Sequence, residues 1–282
     1  MAFERKNSAV FLRVDDFRCH DSSLIKIDPA RIDEAYRCAV DLHEKGIVSG
    51  LYISGDGFLN LDFIERFSFL DSFYFHDLTG GVLKRFDFSK ICNARALSLQ
   101  GEKVNIDLTD FKRLEELSCH WFEGIDLSCL SSLRYIELFS LNCRDGWLAI
   151  DLPESIVNVV LVRVRSDGLL FSNAMPCLER FSLYYSSGIH DLAGLIEAAP
   201  NLEKMHLENV VGDFDYSCLA RAGSLRELWI EKCGRVSNWE FMRSLTLERF
   251  VLQQTKYEDV DFSSEEFSRI EDLHVPRQSK RQ

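Results

Sequence analysis

The stretch LERFSL, residues 178–183, decides the fold because its arrangement of apolar residues returns along most of the chain. Apolar residues occupy its first, fourth and sixth positions, and the same holds for LEKMHL (202–207), LRELWI (225–230) and LERFVL (247–252). In the second half of each hexamer, apolar and polar residues alternate, which places them on opposite faces of an extended strand. Each hexamer therefore predicts one short strand with one buried face.

The hexamers recur at a nearly constant interval. The first apolar residue of each serves as a marker, and eleven markers between residues 48 and 270 have a mean spacing of 22.2 residues. The markers are Val48, Leu70, Ala94, Leu114, Leu133, Val157, Leu178, Leu202, Leu225, Leu247 and Ile270. One such unit cannot bury its apolar face alone, whereas stacked neighbours can, so the pattern predicts a stack of repeats.

This pattern resembles the leucine-rich-repeat family over about residues 48 to 275. The resemblance implies an α/β fold: a right-handed solenoid of about eleven repeats with a concave parallel β-sheet. Many members of the family carry Asn three residues after the last apolar residue of the hexamer, where its amide bonds to the loop backbone. This chain has no Asn at that position, which instead holds residues such as Ser186, Cys233 and Thr255. We therefore expect irregular repeats whose loop backbone groups find other partners.

The ends of a repeat stack need protection, and the N-terminal sequence suits that purpose. Residues 28–46 predict a helix in which Asp28 is the N-cap, Pro29 fits the first turn and Gly46 marks the end. The preceding AVFLRV (9–14) has the hexamer pattern and predicts a strand. We expect three segments: a strand-plus-helix N-terminal cap at 1–47, the solenoid at 48–276 and a frayed tail at 277–282.

A second repeated feature lies between the predicted strands. Asp followed two positions later by Ser or Thr occurs in DFS (87–89), DLT (107–109), DLS (126–128), DYS (215–217) and DFS (261–263). The side-chain oxygens of these residues cap turns and short helices. We expect such turns on the return path of each repeat, with the middle apolar residue in the core. A longer helix is predicted after Asp191.

Composition excludes several classes of function. The formal net charge of −12 disfavours nucleic acid and favours a partner with a basic surface. No signal-peptide pattern begins the chain and no apolar run is long enough to span a membrane, so we expect a cytoplasmic protein with no membrane contact. Nine cysteines without a C-x-x-C pair are typical of reduced thiols, and no spacing predicts a metal or cofactor site.

The remaining signal is the strand face turned away from the core. Tyr, Trp and Arg dominate binding hot spots, although Tyr and Phe also stand in strands simply because they pair well across neighbouring strands. In the resembled family this surface commonly holds a protein ligand. The candidate protein-binding residues are Tyr52, Tyr74, His76, His120, Tyr135, Glu137, Phe139, Arg163, Arg180, Tyr184, His206, Trp229 and Glu231.

These observations favour a non-catalytic protein-binding module that grips a folded, basic partner. A stoichiometric inhibitor, such as a bacterial immunity protein that neutralises a toxin, fits a stand-alone acidic repeat protein. An adaptor or effector scaffold that links two proteins is a second hypothesis. No catalytic motif is present, so an enzyme would require an unrecognised site, for example around Asp15, Asp16 and Cys19 beside the cap.

Overall fold

The computed structural model describes residues 11–13, 23–101, 103–122, 124–143, 146–236, 238–258 and 260–275. The chain divides into two compact units, Met1–Tyr135 and Ile136–Gln282. Among the described residues, no helix combines the length and the apolar composition needed to cross a membrane. The candidate enzyme residues Asp15, Asp16 and Cys19, and the tail after residue 276, lie outside the described residues.

The first unit contains parallel strands that follow one another in chain order. Its strands are β1 (Phe11–Arg13), β2 (Ser23–Ile27), β3 (Gly50–Ser54), β4 (Ser72–His76), β5 (Ala96–Gln100) and β6 (Glu116–His120). Strand β1 is antiparallel to β2, and β2 through β6 are mutually parallel. One α-helix, α1 (Ile32–Glu44), joins β2 to β3, and short 3₁₀ helices lie at Asp62–Phe67, Leu83–Arg85 and Phe88–Ile91.

The second unit repeats this plan. Its strands are β7 (Tyr135–Phe139), which starts at the last residue of the first unit, β8 (Trp147–Ile150), β9 (Asn158–Val162), β10 (Gly168–Phe171), β11 (Arg180–Tyr184), β12 (Lys204–Glu208), β13 (Glu227–Glu231), β14 (Arg249–Gln253) and β15 (Asp272–His274). Strands β9 and β11 to β15 are parallel neighbours, while β8 and β10 form a separate parallel pair. Two short helices, α2 (Ala193–Ala198) and α3 (Phe241–Ser244), and two 3₁₀ turns, Tyr216–Arg221 and Glu265–Phe267, lie on the return paths.

The strand register places equivalent apolar residues side by side. Phe181 pairs with Met205, and Leu183 pairs with Leu207, and none of the four is more than 1% exposed. Ten of the eleven marker residues are also buried. Each buried Leu or Phe stabilises the fold by about 1.5–3 kcal/mol. The predicted leucine-rich-repeat architecture, with one short parallel strand per repeat, is therefore confirmed.

The repeat that contains β9 has a different phase from the one predicted. Ile156, rather than Val157, is the buried marker, and the fully buried strand residues are Val159 and Leu161. This segment is apolar at nearly every position, so its periodicity does not distinguish the two faces. The prediction that Arg163 lies on the strand face is wrong, because it follows the end of β9.

The N-terminal helix begins later than predicted. It starts at Ile32, and Asp28 instead caps the turn before it, where Oδ1 accepts a hydrogen bond from the Ala30 N–H at 2.9 Å. Gly46 stands just past its end with φ +65°, as predicted. The strand that pairs with β3 is β2, which the sequence did not predict, and β1 lies within the predicted AVFLRV stretch.

The predicted Asp-capped turns are confirmed on the return paths. The Asp107 carboxylate, for example, accepts hydrogen bonds from the Thr109 N–H at 3.0 Å and the Thr109 hydroxyl at 2.7 Å. The same arrangement occurs in the pairs Asp87–Ser89, Asp126–Ser128, Asp215–Ser217 and Asp261–Ser263. The hydroxyl, and then the N–H, lower the pKa of Asp107. The middle residue packs inward, as at Leu108, which is 3% exposed.

Most strands are followed directly by a residue with left-handed backbone conformation. In the second unit, the N–H of this residue donates a hydrogen bond to the carbonyl of the last residue of the neighbouring strand. The Tyr185 N–H, for example, donates to the Glu208 carbonyl at 2.9 Å. Glycine occupies this position after β3 and β5, as Gly55 and Gly101. The non-glycine residues, with φ between +48° and +59°, are Asp77, Ser140, Arg163, Tyr185, Asn209, Lys232 and Gln254.

Hydroxyl groups bond to the loop backbone where the resembled family uses Asn. Ser186 Oγ accepts a hydrogen bond from the Val164 N–H at 3.1 Å and donates to the Tyr184 carbonyl at 2.9 Å. Thr255 Oγ1 accepts from the Cys233 N–H at 3.1 Å and donates to the carbonyl that ends β14 at 3.0 Å. Both side chains are buried, so these bonds satisfy backbone groups that water cannot reach.

Candidate functional site

The candidate site is the open strand face, which we define as the strand side chains that alternate with the core residues. Parallel register places equivalent positions on neighbouring strands about 4.8 Å apart. In the second unit, the middle row of this face consists of Ser182, His206, Trp229 and Val251, on β11 to β14. Any partner of this face would meet side chains from several repeats at once.

An aromatic cluster occupies the open strand face of the second unit. Tyr184 Oη lies 3.1 Å from His206 Nδ1, and their rings meet edge to face with centroids 5.1 Å apart. The His206 ring lies 6.1 Å from that of Trp229, and the Arg249 guanidinium lies 5.5 Å from the centroid of the Trp229 ring. The three rings are half-buried and Arg249 is exposed. Side-to-side packing thus holds the rings in fixed orientations while leaving part of each surface accessible.

Ion pairs flank the aromatic cluster on both sides. At the start of the strands, Lys204 Nζ lies 2.5 Å from a Glu227 oxygen. Past the end of the strands, Lys232 Nζ lies 3.0 Å from Glu208 and 2.8 Å from Glu231. Hydrogen bonds to these two carboxylates raise the pKa of Lys232. Glu227 and Glu231 are therefore already paired with cations of this chain, so the face is close to electrically neutral.

One group of side chains in this face has the donor chemistry of a metal site. Ligand atoms of His206, Glu208 and Glu231 all lie within 4.8 Å of one another. The Lys232 ammonium group, however, contacts both carboxylates. A divalent cation would have to displace that ammonium, so the arrangement is best explained as an ion-paired cluster.

In the first unit, part of the open strand face is buried. Tyr74 is 6% exposed and packs with Leu24, Ala96 and Tyr52, while His76 is 7% exposed. Burial lowers the pKa of His76, although the Asp77 charge opposes that shift. The expectation that Tyr74 and His76 face solvent is therefore wrong. Alternation along a strand reports which face a side chain lies on, and not whether that face is covered.

A hydroxyl and an imidazole meet in this buried region. His76 Nε2 lies 3.1 Å from Ser98 Oγ, a distance at which an imidazole can act as a base toward a nucleophilic serine. Ser98 is only 1% exposed, so no substrate can reach its oxygen. The Tyr52 ring packs against the His76 ring at 5.0 Å and completes a packed polar cluster. This pair therefore satisfies buried polar groups and is not a catalytic dyad.

The remaining predicted residues lie on strands outside the aromatic cluster or at its margin. His120 and Tyr135 are half-buried at the end of β6 and the start of β7, Glu137 and Phe139 are half-buried on β7, and Arg180 is exposed at the start of β11. The sequence prediction missed Lys232, because it considered only residues inside the strands. Lys232 directly follows β13, and the position directly after a strand recurs with the same period as the hexamers. That recurrence is the signal that could have identified it.

Comparison with known proteins returns structural likeness only. No protein-family model matches the sequence, and no curated protein matches it. An internalin, InlF, from Listeria monocytogenes aligns at 12% identity with a TM-score of 0.36, covering 89% of this chain and 95% of that chain. A leucine-rich-repeat protein from Leptospira interrogans aligns at 12% identity with a TM-score of 0.31, covering 86% of each chain.

A third solved structure, the functional domain of InlJ from Listeria monocytogenes, aligns at 13% identity with a TM-score of 0.27. The alignment covers 76% of this chain and 64% of that one. The repeat architecture of the present chain rests on its own strand pairing and on the periodic burial of its hexamers.

Proposed function

We propose that this protein is a non-catalytic protein-binding module, and that the aromatic cluster on the open strand face of its second unit is the centre of the contact. The observation that carries this proposal is the half-exposed array of Tyr184, His206 and Trp229, with Arg249 beside it. Large aromatic side chains and Arg, partly ordered before binding, are the residues that contribute most to protein interfaces.

Ordering before binding matters because immobilising flexible side chains at an interface makes the free energy of binding less favourable. Each such side chain costs about 0.5–1.5 kcal/mol. Tyr184 is held by the His206 imidazole, and Trp229 lies between His206 and the Arg249 guanidinium. A partner would meet a surface whose rings already have defined orientations.

A basic surface on the partner is the second element of the proposal. Because the paired charges around the cluster nearly cancel, attraction would come from the net charge of −12 over the whole chain. Such long-range attraction raises the association rate more than the affinity. We therefore expect the association rate to fall with added salt while the dissociation rate changes little.

The experiment compares capture from a native lysate by the wild-type protein and by the double variant Tyr184→Ala plus Trp229→Ala. We expect the wild type to retain one protein at equal stoichiometry and the double variant to retain at least tenfold less, since hot-spot truncations cost about 2 kcal/mol or more. Circular dichroism of the variant checks that it folds.

Trp147→Ala is the matched control. Trp147 is also a solvent-exposed tryptophan, 46% exposed, but it lies on β8, away from the open strand face. It should leave capture unchanged. Equal capture by the double variant and the wild type would contradict the proposal.

The stoichiometry and fate of the captured protein distinguish the finer roles. A stoichiometric inhibitor, of which a toxin-neutralising immunity protein is one kind, would abolish the activity of a single captured partner. An adaptor would leave that partner active and bring a second protein with it.

A further inference from the structure

A second surface of the same unit lies where the strands end. We call it the strand-exit edge and define it by Arg163, Arg165, Tyr185, Ser187, Asn209 and Val211. Arg163, Tyr185 and Asn209 occupy equivalent left-handed positions on successive repeats. Arg165, Ser187 and Val211 form the neighbouring row, joined by single parallel bridges. Six residues thus form a surface of two rows across three repeats, about 10 Å long at the usual strand spacing.

This edge is basic although the chain is strongly acidic. Arg163 and Arg165 are both exposed, and their guanidinium groups contact no carboxylate in the part of the chain that the structure describes. The two defining rows contain no Asp or Glu. Exposed Asp167 and exposed Asp213 lie two residues beyond Arg165 and Val211, and Glu208, which precedes Asn209, is ion-paired with Lys232. Two exposed arginines without an ion-pair partner among the described residues therefore lie on this edge of a protein of net charge −12.

Apolar surface accompanies the positive charge. Tyr185 is 54% exposed and Val211 is 57% exposed, and they lie on adjacent repeats. Large apolar side chains that stand together in solvent are typical of contact sites. An arginine pair beside an aromatic ring suits a carboxylate-bearing peptide, since Arg binds carboxylates through paired hydrogen bonds and the ring covers apolar atoms.

The backbone conformation of Tyr185 is unfavourable for folding. Its φ is +52°, and a residue other than Gly, Asn or Asp in this region costs about 1–2 kcal/mol. In other repeats the same position holds Gly55, Asp77, Gly101 or Asn209, which tolerate the conformation, or Ser140, Arg163, Lys232 or Gln254, which carry a similar cost. Because the Tyr185 side chain is exposed, its burial does not offset this cost. A strained residue that gives the fold no visible benefit is a candidate for a binding role.

We propose that the strand-exit edge binds an acidic, leucine-containing segment of a partner protein, with Arg163 and Arg165 contacting carboxylates and Tyr185 packing on apolar side chains. This surface is separate from the aromatic cluster and goes beyond the function proposed above. Two independent binding surfaces would make the chain an adaptor.

The test uses a fluorescein-labelled peptide of five glutamates and two leucines, and a matched peptide in which lysines replace the glutamates. Fluorescence anisotropy with the full-length protein should show binding of the glutamate peptide that weakens as salt is added. The charge reversal Arg163→Glu plus Arg165→Glu should weaken it at least tenfold. An eight-nucleotide oligothymidylate provides the nucleic-acid comparison.

A second variant separates binding from folding. Tyr185→Asn places a residue suited to left-handed backbone at that position, so it should raise the midpoint of thermal unfolding while weakening peptide binding about fivefold or more. Gln254→Asn is the matched control, because Gln254 is exposed with φ +48° on another repeat. It should raise the unfolding midpoint and leave peptide binding unchanged.

Three results would overturn the proposal: no preference for the glutamate peptide over the lysine peptide, undiminished binding by the double charge reversal, or tighter binding of the oligothymidylate. Trp229→Ala should leave peptide binding intact. If Trp229→Ala loses lysate capture and keeps peptide binding, the aromatic cluster and the strand-exit edge bind independently.

Discussion

At the scale of single residues, burial changes the chemistry of groups that the sequence marks only as polar. Glu116 begins β6, where burial and the neighbouring Glu115 charge raise its pKa to about 7, with Arg95 opposing the shift. A carboxyl group whose pKa is higher in the folded chain than in the unfolded chain binds more protons when folded. Its contribution to stability is therefore lost as the pH rises from about 4.5 to about 7.

We predict that Glu116→Gln removes this loss of folding stability at higher pH. The wild type should become less stable between pH 5 and pH 7.5, and the variant should show a smaller decrease over that interval. Urea unfolding midpoints at the two pH values measure the difference. Glu154→Gln, on an exposed turn, controls for the loss of one surface charge. Parallel pH dependence of the wild type and Glu116→Gln would contradict the prediction.

We further predict that Ser186→Ala destabilises the second unit by about 1–3 kcal/mol, because it leaves the Val164 N–H without its buried partner and removes one of two hydrogen bonds to the Tyr184 carbonyl. The change in free energy of unfolding from urea denaturation is the measurement. Ser187→Ala, at a less buried neighbouring position, serves as control and should cost less than 0.5 kcal/mol, about the usual surface value. Equal losses in both variants would show that the hydrogen bonds of the Ser186 hydroxyl contribute little to stability.

At the scale of elements, the turns after the strands limit how closely successive repeats can stack. Gly188 has φ +84°, and a Cβ atom there would lie 2.8 Å from the Ser166 carbonyl oxygen of the preceding repeat. Gly212, at the equivalent place one repeat later, has φ +130°, and the nearest atom to its added Cβ would be 4.0 Å away. Both glycines relieve backbone strain, but only Gly188 also makes room for a neighbouring main chain.

We predict that Gly188→Ala lowers the free energy of unfolding by about 1–3 kcal/mol more than Gly212→Ala, which experiences the backbone strain without the collision. Thermal and urea denaturation of both variants measure this difference. Should the two substitutions cost the same, close stacking at Gly188 would not be limiting.

At the scale of the whole molecule, a repeat architecture makes stability local. Each strand packs mainly on its neighbours, so the free energy approximates a sum of repeat and interface contributions. Phe73 on β4 and Phe250 on β14 are both core residues, 1% and 0% exposed, in different units. Replacing either by Ala removes similar apolar contacts from different neighbourhoods.

We predict that Phe73→Ala, which should cost about 3–5 kcal/mol locally, accelerates amide hydrogen exchange in β3 to β5 far more than in β12 to β15. Phe250→Ala should show the reverse pattern and is the matched control. Hydrogen-exchange mass spectrometry of the two variants provides the comparison. If either variant accelerated amide hydrogen exchange equally in both units, the two units would unfold as one cooperative unit, contrary to the prediction.

The sequence by itself determined the repeat, most of the core and the return turns. Apolar residues at a constant interval must be buried by neighbours of the same kind, and Asp two residues before Ser or Thr bonds to its own turn. The hexamer and the Asp turn each span only a few residues, and the repeat is their recurrence along the chain, so all three can be read from the sequence.

Tertiary structure alone decided which predicted surface is accessible and which charges are paired. Periodicity assigned Tyr74 to the open strand face, and packing buries it there. Periodicity also placed Arg163 on that face, whereas the actual phase of β9 puts it beyond the strand. Lys232 meets Glu208 from the preceding repeat, 24 residues away in the sequence. The physical reason is that solvent exposure and ion pairing depend on atoms brought together from separate repeats, whereas the hexamer pattern records only the alternation within each one.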